Sequence, residues 1–411
     1  MKISRRDFLQ ATVTTALAGK IMVTDPLYPK VQPIKASGLY RGALAVMQGL
    51  TTKTTSQFTV LTPADRTYGY AISDSKGKIY PLRILNRQTR SHSKWGIEKF
   101  LVTNLKIDTD YSLKIIDSSS GLAIDERVFR SLDTDLKNPR LTIASCMKDN
   151  KQAEREEMWD NITITMPDMV FLIGDTCYSD NGNSAADEAG YWRRYCETRS
   201  LISHFRQKKL TPTLAIWDDY DFAGNNADST FQLKASNKEL FKLFWDNEPQ
   251  EKVLLKGPGI SQIFTAFGQR FFMMDSRYYR SPRTQTNRPV QWGTEQELFL
   301  FENMAKNKTP VWLMNGSQFF GAYLQKDAFE FWHLENFKDV CRELSRQEAP
   351  VVFASGDVHF TEYMQIEPEV LGYKTFEITS SAIHSTTIFS TTFATKIHVE
   401  LWQTAQTNLQ M

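Results

Sequence analysis

The chain has 411 residues, 41% of them hydrophobic and 23% charged, which is globular composition rather than that of a disordered or membrane-embedded chain. That length allows two or three domains and a sizeable core, while a formal net charge of +2 supplies neither a basic field for nucleic acid nor an acidic tail. The four cysteines, Cys146, Cys177, Cys196 and Cys341, form no C-x-x-C pair, so no disulfide scaffold is indicated.

Ser4-Arg5-Arg6-Asp7-Phe8-Leu9 is a twin-arginine sequence, followed by an apolar stretch at 11–18. Ala16-Leu17-Ala18 places small residues at the spacing a signal peptidase reads. We therefore expect residues 1–18 to be a twin-arginine signal peptide, the twin-arginine export machinery to be a partner, and the mature protein to be periplasmic or secreted. No other run reaches the roughly 20 apolar residues of a membrane span. Residues 19–38, with Pro26, Pro29, Pro33 and Gly38, read as a linker. Over 39–135, short runs at 42–47, 57–61, 68–73, 79–85, 99–105, 111–116 and 127–132 predict an antiparallel β-sandwich. Tyr111, beginning one of them, stands where fibronectin type III-like domains bond a tyrosine back to the preceding turn. His92, among Arg, Ser and Lys, reads as a solvated loop residue.

From residue 140 onward the texture changes. Apolar runs at 141–144, 169–173, 214–217, 271–274, 311–314 and 351–354 are interleaved with helix-length segments at 151–165, 237–246, 295–306 and 329–346. That alternation predicts a layered α/β domain over 140–411. The run at 169–173, bounded by Pro167-Asp168 and Gly174, fits a strand buried on both faces, with Asp175 and Tyr178 on the loop at its carboxyl end.

Chemistry-bearing residues recur at the same topological place. Ser145-Cys146 follows the first run, Gly174-Asp175-Thr176-Cys177-Tyr178 the second, and Asp218-Asp219-Tyr220-Asp221 the third. Gly356-Asp357-Val358-His359 follows the run at 351–354. A thiol, carboxylates, a phenol and an imidazole converging from separate loops are the makings of a metal site. Each alone has a plainer reading: Cys146 as a small buried hydrophobe, Asp175 and Tyr178 as an acidic turn beside a packed ring.

Ala144-Ser145-Cys146, Gly174 to Tyr178, the stretch Trp217 to Asn226, Met274-Asp275-Ser276-Arg277 and Ser355 to Phe360 come in an order and spacing that resembles the alkaline phosphatase D family of metallophosphoesterases, distantly related to purple acid phosphatases. The resemblance implies a calcineurin-like layered α/β sandwich preceded by a small fibronectin type III-like β-sandwich. It implies that Cys146, Tyr178 and His359 hold one metal, Fe(III), that Asp175 bridges, and that Asp219 and Asp357 hold a second, divalent metal such as Ca²⁺. Thiolate, phenolate and imidazole suit iron, and carboxylates suit a hard divalent cation. Such a pair can orient a phosphate and acidify a water for in-line attack on phosphorus.

Arg277 is a candidate phosphate clamp, or else an ion-pair partner of Asp275 or another acid. Arg280, Asn225 and Asn226 are candidates for substrate or metal, and Asp218 and Asp221 for orienting the neighbouring ligands. His384, after an apolar strand, is a candidate pocket residue; His204, His333 and His398 read as structural or solvated. Tyr220 departs from the family, which commonly has His there; a phenol of pKa about 10 is a poor acid near neutral pH. The expected activity is hydrolysis of phosphate esters by a secreted enzyme. The alternatives are a phospholipase-type or cell-wall phosphodiesterase and a surface protein that binds through the β-sandwich without turnover. A thiol hydrolase using Cys146 and His359 would leave the paired carboxylates unexplained.

Overall fold

The computed structural model describes residues 41–150, 152–180, 187–250, 252–284, 287–305, 307–324 and 326–385. The signal peptide read at 1–18, the linker read at 19–38 and His398 lie outside these residues.

The amino-terminal part forms β1 (Ala45–Thr51), β2 (Ser56–Pro63), β3 (Tyr68–Ser73), β4 (Ile79–Tyr80), β5 (Leu82–Thr89), β6 (Trp95–Val102), β7 (Asp110–Asp117) and β8 (Ala123–Arg130). They pair antiparallel into two four-stranded sheets, β1-β2-β6-β5 and β4-β3-β7-β8. Phe58 of β2 meets Phe129 of β8 edge-on at 4.8 Å, closing a core that includes Phe100, Tyr111 and Leu113. The Tyr111 hydroxyl accepts a hydrogen bond from the Lys106 amide at 2.7 Å, tying the start of β7 to the turn before it. The single run expected at 79–85 is two strands in different sheets. Pro81 separates them, and a residue without an amide hydrogen is a natural breakpoint in a ladder.

The rest of the chain supplies β9 (Leu141–Ala144), α1 (Gln152–Ile164), β10 (Met169–Ile173), α2 (Glu188–Leu201), β11 (Thr213–Ile216), α3 (Asp219–Phe222) and α4 (Lys234–Trp245). There follow β12 (Leu254–Lys256), β13 (Gln262–Ala266), β14 (Gln269–Met273), α5 (Thr294–Met304), β15 (Val311–Met314), α6 (Phe329–Trp332) and α7 (Leu334–Ser345). The last elements are β16 (Val351–Ser355), β17 (Thr361–Ile366), α8 (Pro368–Leu371) and β18 (Thr375–Ser380). A parallel sheet β11-β10-β9 faces a seven-stranded sheet β12-β13-β14-β15-β16-β18-β17, whose β14, β15, β16 and β18 run parallel. Phe171 of β10 stacks on Phe271 of β14 at 4.8 Å between the two. On the outer face of the larger sheet, Leu300, Phe337, Val340 and Leu344 of α5 and α7 cover Phe272, Leu313 and Phe353. Covered on both faces, the central strands read as continuous apolar runs.

Two helical assignments differ from expectation. The segment at 329–346 breaks at His333, whose φ of −134° and ψ of 48° leave the helical region, giving α6 and α7. Helix α2 has no apolar stripe to betray it because it buries Arg194, Thr198 and Arg199 beside Tyr191, Trp192 and Tyr195.

The two parts share a buried, hydrogen-bonded seam. The buried Arg127 guanidinium donates to Leu44 O at 2.6 Å and Gln207 O at 2.8 Å and pairs with Asp125. Leu50 N donates to Asn247 Oδ1 at 2.8 Å, and Met47, Leu50, Leu61 and Ile97 join the same apolar cluster as Phe205 and Trp245.

Candidate metal centre

The expected ligands sit in tight turns just past parallel strands, the place where α/β sheets present their loops. Cys146 follows β9, Asp175 and Tyr178 follow β10, Asp219 opens α3 after β11, and Asp357 and His359 follow β16. Cys146, Asp175, Asp357 and His359 all have left-handed backbones, with φ of 57°, 51°, 71° and 56°. Such a conformation costs a side-chain-bearing residue about 1–3 kcal/mol and persists where the surroundings fix it. The fixing bonds are Cys146 N to Gly174 O at 3.2 Å, Met147 N to Asp175 O at 3.0 Å and His359 N to Ser381 Oγ at 3.0 Å. Gly174, at φ 110°, passes so near the next loop that an added Cβ would lie 2.6 Å from Asp218 Cβ.

These turns bring the donors together. The thiol of Cys146, a carboxylate oxygen of Asp175 and a ring nitrogen of His359 lie within 4.8 Å of one another. So do carboxylate oxygens of Asp175, Asp219 and Asp357, and Asp175 belongs to both groups. Tyr178 adds its hydroxyl, 3.0 Å from His359 Nε2 and accepting from Ser385 Oγ at 3.0 Å. Asp219 Oδ2 accepts from Asn226 N at 2.7 Å, whereas Asp219 Oδ1 is buried with no hydrogen-bond partner among the described residues. An orphaned buried carboxylate oxygen beside two further carboxylates fits a bound cation, which would satisfy it. The donor set divides by chemistry into thiol, phenol and imidazole on one side of Asp175 and carboxylates on the other.

Burial raises the carboxyls of Asp175 and Asp357 well above the ordinary range, and neighbouring carboxylates, Asp219 first among them, add to it. Asp219 is pushed up to about 6, by burial against the opposing pull of Arg277. Burial likewise raises the Cys146 thiol and the Tyr178 phenol, with Asp175 adding to both. A bound cation favours the ionised form of every one of these groups.

Around the donors stand orienting groups. Asp221 accepts from Thr176 Oγ1, from Cys177 N at 2.8 Å and from Asp218 N at 3.0 Å, so one carboxylate locks the loop after β10 to the loop after β11. Arg277, the expected phosphate clamp, has no exposed surface. Its Nε donates to Asp218 Oδ1 at 2.6 Å, and its Nη2 lies 2.8 Å from Asp327 Oδ2, close enough to pair but without hydrogen-bond alignment. The guanidinium is thus taken up by acids of the protein. Those acids are Asp218 and Asp327 rather than Asp275, whose oxygens accept from Trp217 Nε1 and from the amides of Ile260, Arg277 and Tyr278. Arg280 is equally buried and pairs with Asp327.

Tyr220 is half-buried and stacks on the Tyr178 ring at 4.6 Å, its hydroxyl 3.4 Å from Asn225 Oδ1. Burial, with Asp219 next, pushes its phenol above its ordinary range. Asn225 is exposed, while Asn226 contributes its backbone amide to Asp219. His384 is near but committed: its Nδ1 is 2.6 Å from Lys148 O, and Nε2 accepts from Trp159 Nε1 at 3.3 Å. His204 stacks on Trp159 at 4.5 Å and His333 lies 3.3 Å from Ser281 O, both buried within the fold. His92 is exposed.

Sequence reasoning missed four contributors. Ser381 donates to Cys146 Sγ at 3.0 Å, Ser385 reaches Tyr178, Asp327 pairs with Arg277, and Lys148 Nζ lies 5.2 Å from the centroid of the Tyr178 ring. The hydroxyl-rich stretch after β18 was the available signal for the serines; nothing around Asp327 marks it.

No protein-family model matches this sequence, and no curated protein matches it. Among solved structures, one described as "Structure of PhoD" aligns at a TM-score of 0.63 with 16% identity, covering 85% of this chain and 78% of that one. The chain has a PhoD-like fold. Amylomaltase from Corynebacterium glutamicum also aligns, at a TM-score of 0.17 and 8% identity over 39% of this chain and 24% of its own, too slight an overlap to carry an argument. Among the described residues, no helix is long and apolar enough to cross a membrane.

Proposed function

We propose that the chain is an exported, metal-dependent phosphoric ester hydrolase, and that its layered part is a calcineurin-like metallophosphoesterase domain flanked by a fibronectin type III-like sandwich. The observation that carries this reading is the carboxylate of Asp175 common to two adjoining ligand groups of different chemistry. Cys146, Tyr178 and His359 would hold Fe(III), and Asp219 and Asp357 a divalent cation such as Ca²⁺, with Asp175 between them. Bound there, the cations supply Lewis acidity toward a phosphoryl oxygen and lower the pKa of a water.

The protein's own groups set the geometry. Tyr220 N donates to Asp175 Oδ1 at 3.3 Å and Asn226 N to Asp219 Oδ2, so the loop after β11 aims both carboxylates. Arg277 holds Asp218, and through the closeness of Asp218 to Gly174 it fixes the spacing of the two loops. The Tyr220 hydroxyl, whose proton points at Asn225 Oδ1 3.4 Å away, would turn it to the leaving oxygen as a hydrogen-bond donor, and an ordinary phenol pKa of about 10 keeps that proton in place near neutral pH. Export by the twin-arginine route and a periplasmic or secreted location belong to the same reading and rest on Arg5-Arg6 and the stretch that follows.

The test is elemental analysis of protein purified without chelators, alongside assays on a phosphomonoester and a phosphodiester. Wild type should carry iron and show a visible phenolate-to-iron band. Cys146→Ser should remain folded and lose the iron, the band and the activity. Full esterase activity from a colourless, metal-free wild type would overturn the proposal.

A further inference from the structure

The donors gathered here leave an incoming phosphoryl group short of a partner. In the phosphoester reading, on which this inference rests, three carboxylates, a thiolate and a phenolate together balance a trivalent and a divalent cation. A phosphomonoester bringing a charge of roughly −1.5 to −2 near pH 7 then meets a centre already close to neutral. The guanidinium that sequence nominated to meet it, Arg277, is sealed among Asp218 and Asp327.

Lys148 is placed to supply the missing charge. It stands two residues past Cys146, half-buried, with its Nζ 5.2 Å from the ring centroid of Tyr178. No carboxylate among the described residues pairs with it. Its backbone is held at both sides: Met147 N donates to Asp175 O at 3.0 Å, and Lys148 O lies 2.6 Å from His384 Nδ1. An ammonium resting on a phenol ring is a weakly held cation, and a lysine stem is flexible enough to leave the ring for a phosphate oxygen. His384 gains a purpose here: wedged between Trp159 and the Lys148 carbonyl, it anchors the stretch from which the lysine projects.

We propose that Lys148 binds the phosphoryl group of the substrate and thereby makes the site favour dianionic phosphomonoesters over singly charged diesters. An ammonium gains more from two negative charges than from one, and its charge-assisted hydrogen bonds are the strong kind.

The experiment measures calorimetric binding of inorganic phosphate and of dimethyl phosphate to metal-loaded wild type, Lys148→Met and Lys148→Arg, with metal content and the visible band recorded for each. Lys148→Met should bind inorganic phosphate roughly tenfold more weakly, the scale of one lost charged hydrogen bond. It should bind dimethyl phosphate nearly as well as wild type does, and its KM for a monoester should rise more than its KM for a diester. Lys148→Arg, keeping the charge, should recover most of the phosphate binding. Unchanged phosphate binding in Lys148→Met, or equal losses for the two anions, would overturn the proposal. A wild type that loads metal yet binds no phosphate and cleaves neither ester would instead overturn the phosphoester reading beneath it.

Discussion

With no surface open to solvent and carboxylates on several sides, Arg277 compensates Asp218 and Asp327; deleting its side chain leaves the buried Asp218 without a counter-charge and Asp327 with Arg280 alone. Breaking a buried pair from one side costs about 3–5 kcal/mol, so Arg277→Ala should lose that much stability in urea unfolding. If instead the variant unfolds like wild type and only substrate binding weakens, the guanidinium reaches substrate after all. Tyr220 invites a different measurement. A phenol of ordinary pKa about 10 is a poor acid at neutral pH, so turnover should depend steeply on leaving-group pKa. Tyr220→His, with an imidazole near pKa 6.5, should flatten the plot of log kcat/KM against leaving-group pKa, and Tyr220→Phe should leave its slope nearly unchanged. Equal slopes for wild type and Tyr220→His would remove this position from the handling of the leaving oxygen. At this scale the sequence was informative where chemistry is carried by unusual side chains at strand ends, as with Cys146, Asp175 and His359. It was uninformative where the role is set by what closes over a residue: nothing in the letters around Arg277 says that Asp327, fifty residues on, will take its charge.

Helix α1 and the turn at Ser203–Arg206 pack with His204 stacked on Trp159, and burial, helped by Arg199, lowers the imidazole to about 3. Burial also lowers His333 to about 4. The unfolded imidazole titrates near 6.5, so above about pH 6.5 neither state binds the proton and these groups add no pH dependence. Below it the unfolded chain takes up protons that the folded chain refuses. Stability then falls by about 1.4 kcal/mol per pH unit for each histidine, until the folded values are reached. Buried acids such as Glu377, raised to about 7 chiefly by burial, push the opposite way over part of the range. The useful comparison is therefore between proteins: His204→Gln should show a shallower loss of stability than wild type from about pH 6.5 to about pH 4, and parallel curves would mean that His204 is protonated in the fold. Elements were legible in proportion to how far apolar burial alone shapes them. The apolar runs at 169–173 and 311–314 coincide with β10 and β15. Helix α2 was hidden because Arg194 and Thr198 are buried against Asp149, which puts polar letters where a periodic reading looks for apolar ones.

Across the whole molecule, the sandwich and the layered part meet through Arg127, Asn247 and an apolar cluster common to both, with β1 buried along its entire length. We expect one cooperative urea transition, with tryptophan fluorescence and far-ultraviolet dichroism coinciding; two separated transitions would show that the seam does not couple the parts. Tyr111→Phe, which removes the acceptor for Lys106 N, should lower the midpoint by an amount worth about 1 kcal/mol. The seam also decides how damage to the sandwich would be felt. Because loosening it loosens everything, a lesion at the Tyr111 corner should leave the turnover number of each intact molecule unaltered and reduce how many molecules survive proteolysis. A screen scoring total activity would then place Tyr111 among the important positions, and a titration of active sites would show it to govern abundance.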